Sequence, residues 1–213
     1  LYLDLLERGQ VDNHDKYTTI LRHETERLRK LIVGFLEISG LDTAVDLPIL
    51  EPLEVNSIVI DVVKQNESVI LSSALTVDYQ VASDLPLAMA NKSLLERALF
   101  HLINNATLYA PDNNHISVLT AVQTQQNKEW VTIAVNDTGL GISAKEQSVL
   151  FDRFYRGEAA TRTVTPGAGL GLAFCKESLE KQGGFITVAS DPETGVTFTI
   201  WLKKAANNRS LSS

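Results

Sequence analysis

The first segment able to do chemistry is the sequence DTGLGI at residues 137–142, which follows a predicted strand. Glycines let a ligand approach the main chain, and the carboxylate of Asp137 beside them can accept a hydrogen bond from an amine. The pattern alone also fits an ordinary turn, because an Asp and two glycines after a strand commonly make one.

A second glycine cluster, GAGLGL at residues 167–172, opens directly into an apolar helix. The N-terminus of a helix offers unpaired N–H groups and the positive end of the helix dipole, which together suit phosphate oxygens. The cluster lacks the G-K-[ST] of a P-loop, and no parallel βαβ unit surrounds it as a Rossmann site requires.

A helix predicted upstream, LLERALFHLINNATLYA, places His101, Asn105 and Leu108 about one turn apart on one face. The carbonyl oxygen of Asn105 is a reasonable ligand for Mg²⁺, which prefers hard oxygens and keeps several waters. A structural role for Asn105, in capping the core, explains the same residue. The buried side of this helix is predicted to contain Leu95, Leu99, Leu102 and Ala106.

Between the glycine clusters lies the sequence FDRFYR, residues 151–156. Its aromatic residues can anchor a loop, and its arginines can reach phosphates.

The elements that position these segments follow from the hydrophobic pattern. Strands are predicted over residues 48–53, 75–81, 115–123 and 129–136, with a closing hairpin of 185–189 and 197–203. Helices are predicted over residues 55–67, 92–109 and 170–182. Largely antiparallel strands with helices gathered on one face predict an α+β fold, a two-layer α/β sandwich.

Two helices precede this domain. Residues 1–8 are predicted to be the end of one helix, and residues 14–39 are predicted to be a second with apolar side chains near coiled-coil spacing. They predict an antiparallel hairpin, and two hairpins from two chains would make a four-helix bundle. The alternative is a surface helix on the main domain. The predicted boundaries are 1–47 for the hairpin, 48–204 for the catalytic domain and 205–213 for a flexible tail.

Composition excludes several functions. The net charge of −7 argues against a nucleic-acid binder, which needs a basic surface. The single cysteine, Cys175, excludes an internal disulfide and fits a reducing compartment. The sequence contains neither an apolar run of the roughly 18 residues that span a bilayer nor a signal peptide. We therefore expect no membrane contact from these residues, although a transmembrane sensor upstream remains possible.

The order of the four segments is what identifies a family. The Asn-bearing helix, D-x-G-x-G-I, F-x-R-F and G-x-G-L-G-L resemble the N box, first glycine box, F box and second glycine box of bacterial sensor histidine kinases. These kinases belong to the superfamily of gyrase-type ATPases, and the resemblance covers residues 9–203. It implies a Bergerat-type ATP-binding fold that follows a dimerisation hairpin.

The resemblance also implies an activity and partners. The intact protein would be an ATP-dependent protein-histidine kinase that passes the γ-phosphoryl group to its own histidine and then to an aspartate of a response regulator receiver domain. It would form a homodimer through the hairpin. It would lie in the cytoplasm, with the parent protein anchored in the bacterial inner membrane.

Residue by residue, the resemblance assigns ATP and Mg²⁺ to one pocket. Asp137 would accept a hydrogen bond from the adenine amino group, Asn105 would hold Mg²⁺ on the triphosphate, and Tyr109 would lie against the adenine. A lid over residues 143–165 would cover the nucleotide. The other residues that the resemblance places at the nucleotide are Gly139, Gly141 and Ile142 at the base, Phe151, Arg153, Phe154 and Arg156 in the lid, and Gly167, Gly169, Leu170, Gly171 and Leu172 at the phosphates.

Two positions depart from the family pattern. His101 stands where the family usually has a first Asn, and Leu108 stands where it usually has Lys or Arg. The loss of that cation removes a phosphate contact, so weak nucleotide affinity or slow turnover is an open possibility. His101 is included among the candidate nucleotide contacts, and an ordinary helix-face histidine is the alternative.

The phosphoacceptor motif H-E-x-x-[ST]-P is absent from the sequence. The resemblance puts the acceptor upstream of residue 1. His23 and Glu24 lie on the second helix without a following Pro, so we interpret them as solvated positions.

Two alternatives remain. One is a catalytically degenerate nucleotide-binding or dimeric scaffold module, which titration with nucleotide, with and without Mg²⁺, would separate from a kinase. The other is a different ATPase of the same superfamily, but those chains lack the preceding hairpin.

Overall fold

The computed structural model describes residues 14–43, 47–72, 75–109, 115–139, 141–157, 167–191 and 195–206. The helices are α1 (His14–Thr43), α2 (Val55–Ser72), α3 (Lys92–Tyr109), α4 (Ala144–Gln147) and α5 (Gly171–Lys181). The strands are β1 (Glu51–Leu53), β2 (Thr76–Gln80), β3 (Ala88–Ala90), β4 (His115–Gln125), β5 (Lys128–Asp137), β6 (Phe185–Asp191) and β7 (Gly195–Lys204).

The sheet is mixed and mostly antiparallel. Its order is β1-β3-β7-β5-β4-β2, and β6 pairs with β7 on the edge opposite β5. Of the described pairs only β2 and β4 run parallel. This arrangement confirms the predicted two-layer sandwich.

The core lies between the sheet and helices α2, α3 and α5. Alternate residues of β5, Val131, Ile133 and Val135, are buried against the helices, as the two-residue period of a strand requires. The predicted buried face of α3 is confirmed, since the following side chains are buried: Leu95, Leu99, Leu102 and Ala106.

Several element boundaries differ from the sequence prediction. Helix α1 continues past Ser39 to Thr43, and α2 continues past Glu67 to Ser72. The strand predicted over residues 48–53 begins only at Glu51. Strand β3 and the short helix α4, which Ser143 caps in a capping box, were not predicted.

The last turns of α1 pack on α5. Ile38 and Leu41 form a small apolar cluster with Leu170 and Phe174, and Gly34 lies directly against the Leu170 side chain. This contact explains why α1 passes its predicted end. Earlier in α1, apolar side chains stay exposed to solvent: Leu28, Ile32, Val33, Phe35 and Leu36.

The first hairpin helix, residues 1–8, lies outside the described residues, as do most of the predicted tail and the 44–46 junction. The boundaries at 47 and 204 therefore stay predictions. Among the described helices, none has the length and apolar character that crossing a membrane requires.

Candidate active site

Asp137 ends strand β5 and is buried, with 5% of the residue exposed. Its Oδ1 accepts a hydrogen bond of 3.0 Å from the backbone N–H of Gly139. Burial raises the pKa of Asp137 to about 6, and the Gly139 hydrogen bond opposes this rise only in part. A carboxylate has two acceptor oxygens, so a buried Asp137 is suited to accept a further hydrogen bond from a ligand amine.

Two residues that the sequence did not predict support the end of β5 and the first glycine box. Gly195 has φ +91°, and a Cβ there would collide with the carbonyl oxygen of Asp137. The Ser190 hydroxyl accepts a 2.7 Å hydrogen bond from the Ile142 N–H and donates one of 3.1 Å to the Gly195 carbonyl. The first glycine box is therefore tied to the β6–β7 hairpin. In the sequence, the signal for Gly195 was its position directly before the alternating strand VTFTIWL.

Helix α3 presents His101, Asn105 and Tyr109, and all three are half-buried. Burial raises the pKa of Tyr109, and the positive charge of Arg156 opposes that rise. Arg156 is thus near enough to act electrostatically on Tyr109. Arg156, two residues after the F box, therefore lies near the end of α3.

The F box and the second glycine box meet through their backbones. The Phe154 N–H donates a 2.9 Å hydrogen bond to the Gly169 carbonyl. Gly169 has φ +69°, and a Cβ there would lie 2.5 Å from the Tyr155 carbonyl oxygen. Such an approach is open only to glycine.

The two F-box phenylalanines have different surroundings. Phe151 packs on the core, with its ring edge toward Phe198. The Phe154 side chain is 59% exposed, and φ is +66° at this residue. In this structure the loop is thus anchored by Phe151 and by the Phe154 backbone.

Arg153 pairs with carboxylates of α1 and α5 in this structure. Its guanidinium makes two hydrogen bonds to Asp42 of α1 and two to Glu177 of α5, at 2.7–2.9 Å. These hydrogen bonds, first of all those that Arg153 donates to Asp42, raise the pKa of Arg153. The prediction of a phosphate contact did not anticipate this role in holding α1.

The second glycine box surrounds the start of α5. Leu170 is buried beneath α1, Leu172 packs on the main core, and Gly171 lies against the His101 ring. A Cβ at Gly167 would meet open space. In the first box Gly141 is half-buried, whereas Leu140 and lid residues 158–166 lie outside the described residues.

The donor set fits a nucleotide with magnesium. Asp137 supplies a buried acceptor, and the Leu170 N-cap of α5 leaves the helix N-terminus without a side-chain cap. Within the described ranges there is no cluster of three or more His, Cys, Asp or Glu residues that could cage a metal. The amide oxygen of Asn105 fits a Mg²⁺ ion whose other ligands would be waters and the substrate's phosphates.

Comparisons with known proteins identify the family of the chain. Residues 90–206 match the family described as histidine kinase-, DNA gyrase B- and HSP90-like ATPase. The chain is 33% identical over 182 residues to the sensor-like histidine kinase SenX3 of Mycobacterium tuberculosis, covering 84% of this chain and 42% of SenX3. It is 32% identical over 205 residues to the heme sensor protein HssS of Staphylococcus saprophyticus, covering 95% of this chain and 42% of HssS.

Solved structures show the same fold. Acinetobacter baumannii histidine kinase AdeS has a TM-score of 0.73 at 20% identity, covering 96% of this chain and 92% of AdeS. The catalytic domain of histidine kinase ThkA has a TM-score of 0.62 at 20% identity, covering 74% of this chain and 99% of that domain. The chain spans less than half the length of the curated relatives SenX3 and HssS. With the family match extending over more than half of its residues, the chain belongs to the histidine kinase-, DNA gyrase B- and HSP90-like ATPases.

Proposed function

We propose that this chain is the ATP-binding catalytic part of a bacterial two-component sensor histidine kinase. The observation that carries the proposal is the buried Asp137 carboxylate beside Gly139 at the end of β5. The name of the relative SenX3, a sensor-like histidine kinase, supports it.

In this proposal Asp137 selects adenine by accepting a hydrogen bond from its amino group. Guanine has a carbonyl oxygen at that position, which a carboxylate repels. Asp137→Asn should weaken ATP binding about tenfold, since a hydrogen bond to a charged group is worth about 1.5–3 kcal/mol. It should also reduce the preference for ATP over GTP.

The measurement is a titration of both nucleotides by calorimetry, with Asp61→Asn, an exposed carboxylate on α2, as the control. Equal ATP affinity in Asp137→Asn and the parent would contradict the proposal.

Asn105 would hold Mg²⁺ through its amide oxygen, while the nucleotide's phosphates and waters complete the coordination. Magnesium would neutralise charge on the phosphate chain as the γ-phosphoryl group leaves. Asn105→Ala should remove most of the Mg²⁺-dependent gain in ATP affinity. Asn104→Ala, the neighbouring amide on α3, should retain that gain, and equal losses in both would argue against a specific ligand.

In the intact protein, the γ-phosphoryl group would pass to a histidine upstream of residue 1 and then to a receiver-domain aspartate. We place this chain in the cytoplasm and the parent protein at the bacterial inner membrane. A longer protein that includes the upstream segment should acquire acid-labile label from γ-labelled ATP. Label that is stable in acid would contradict phosphorylation of a histidine.

We further propose that α1 belongs to a dimerisation hairpin. Its exposed apolar stripe supports this, with Leu28, Ile32, Phe35 and Leu36 each about 60% exposed. Ile32→Glu should shift sedimentation equilibrium toward monomer, whereas Glu24→Gln should not. A parent chain that stays monomeric at millimolar concentration would show that these residues alone do not dimerise.

A degenerate scaffold is the second candidate, and His101 favours it because an amide is usual at that position in the family. Failure of the parent chain to bind ATP, with dimerisation retained, would support the scaffold.

A further inference from the structure

Arg97 and His101 lie one turn apart on α3, and both hold the carboxylate of Glu37 on α1. The Glu37 Oε1 is 3.0 Å from an Arg97 guanidinium nitrogen, and Oε2 is 3.1 Å from His101 Nε2. Glu37 is half-buried. One carboxylate therefore occupies a donor site formed by two side chains.

The carboxylate of Glu37 is an anion at this position. Burial works to raise its pKa, but the hydrogen bonds and charges of His101 and Arg97 outweigh burial and lower the pKa below its usual value. An ionised carboxylate and a phosphate oxygen use the same donors, because both are anionic acceptors of charge-assisted hydrogen bonds.

The donor pair is held in place without Glu37. The Arg97 guanidinium lies 4.6 Å from the centre of the Phe174 ring, and the His101 ring centre lies 5.2 Å from it. Both groups therefore rest on one buried aromatic side chain of α5 and should keep their positions if Glu37 leaves.

The pair adjoins the second glycine box. A Cβ at Gly171 would lie 3.2 Å from His101 Nδ1, so the imidazole borders the first turn of α5. Leu170, the N-cap of that helix, makes no side-chain cap hydrogen bond. The N–H groups in the first turn of a helix favour the same anions as the Arg97–His101 pair.

We propose that Arg97 and His101 form an anion-binding pair for the phosphate chain of the nucleotide, and that Glu37 competes with the phosphates for this pair. The inference rests on the proposed nucleotide site. Glu37 of α1 and the phosphates then bind the same two donors, Arg97 and His101. Docking of α1 and phosphate binding therefore weaken each other. His101 contributes a contact in place of the family's amide. Arg97 supplies a cation to the phosphates, which Leu108 cannot do.

The test compares the affinities of Mg²⁺–ATP and of adenosine in Glu37→Gln and the parent. Removing the competing charge should tighten Mg²⁺–ATP by about threefold, the order expected for a partly exposed ion pair. Adenosine has no phosphate, so its affinity should not change. The gain should shrink at high salt, because screening weakens exposed charge pairs.

Glu26→Gln is the matched control, since it removes the same charge from α1 at a position where Glu26 pairs with its helix neighbour Arg29. Adding Arg97→Gln or His101→Ala to Glu37→Gln should abolish the gain. Circular dichroism of every variant verifies folding, and Glu37→Asp, which keeps the charge but shortens its reach, should give a smaller gain.

Equal ATP affinity in Glu37→Gln and Glu26→Gln would overturn the inference, and so would an equal gain for adenosine. A parent chain that binds neither ligand would instead overturn the proposed function.

Discussion

At the residue scale, burial brings the pKa of the Asp137 carboxyl closer to neutral pH. Burial raises its pKa to about 6 from an ordinary value of 3.8. Asp137 therefore favours the folded state below about pH 4, and this contribution is lost as the pH rises through about 6. The negative charge of Asp137, which the proposed nucleotide site uses, therefore lowers the stability of the ligand-free fold at neutral pH.

Asp137→Asn should stabilise the ligand-free chain at pH 7 by about 1–3 kcal/mol, since a shift of one pKa unit corresponds to about 1.4 kcal/mol. The asparagine carbonyl can still accept the Gly139 N–H. At pH 4 the variant and parent should have nearly equal stability. Urea unfolding at both pH values measures this, and a destabilised variant at pH 7 would show that Asp137 has a structural partner instead.

Gly169 and Gly167 give a matched pair in the second glycine box. Gly169→Ala should cost about 1–3 kcal/mol, because alanine would be strained at φ +69° and its Cβ would meet the Tyr155 carbonyl. Gly167→Ala should change the stability of the fold by less than about 0.5 kcal/mol, because its Cβ would meet open space. Thermal unfolding measures both, and equal losses would contradict the backbone contact between the two boxes.

Some individual site residues were accessible from sequence and others were not. Asp137 and Asn105 stand at recognisable positions within boxes whose order is informative. Glu37, Ser190 and Gly195 were missed because their roles depend on segments that are distant in sequence. Arg153 was assigned to phosphates on its residue type, and the structure shows that two carboxylates engage it.

At the scale of elements, α1 packs against the start of α5, where the resemblance places residues that contact the nucleotide. Leu170 lies under Ile38 and Leu41, and Lys181 donates a hydrogen bond to the Leu41 carbonyl. The position of α1 is therefore coupled to the second glycine box through direct packing.

Arg153→Gln should loosen the last turn of α1, because the ion pair with Asp42 is lost. Amide hydrogen exchange over residues 38–43 should quicken by up to about fivefold, since exposed ion pairs are worth about 0.2–1 kcal/mol. Arg29→Gln, which breaks a pair inside α1, is the control. Equal exchange in both variants would show that apolar packing alone holds the helix.

Local pattern predicted the elements that are amphipathic along their length. Helix α3 has the predicted bounds, because its apolar face repeats from end to end. Strand β3 was missed because three residues, Ala88–Ala90, are too short to show a period. Helix α1 was ended too early because its last turn is held by tertiary contacts with α5.

At the scale of the whole molecule, an acidic chain must hold an anionic ligand with local groups. The net charge is −7, so long-range attraction does not assist ATP. The affinity for ATP would have to come from the N-terminus of α5, from Arg97 and Arg156 near α3, and from Mg²⁺. The mixed sheet provides the frame, since β5 ends at Asp137 while α3 packs across it.

The most direct test of this account is an NMR titration of the labelled chain with Mg²⁺ and a non-hydrolysable ATP analogue. The largest amide shifts should appear at Gly139, at the side-chain amide of Asn105 and across residues 169–172, with Asp137→Asn abolishing the shift at Gly139. Shifts confined to α1 or the outer strands, or no shifts in a well-folded sample, would contradict a nucleotide site between β5 and α5.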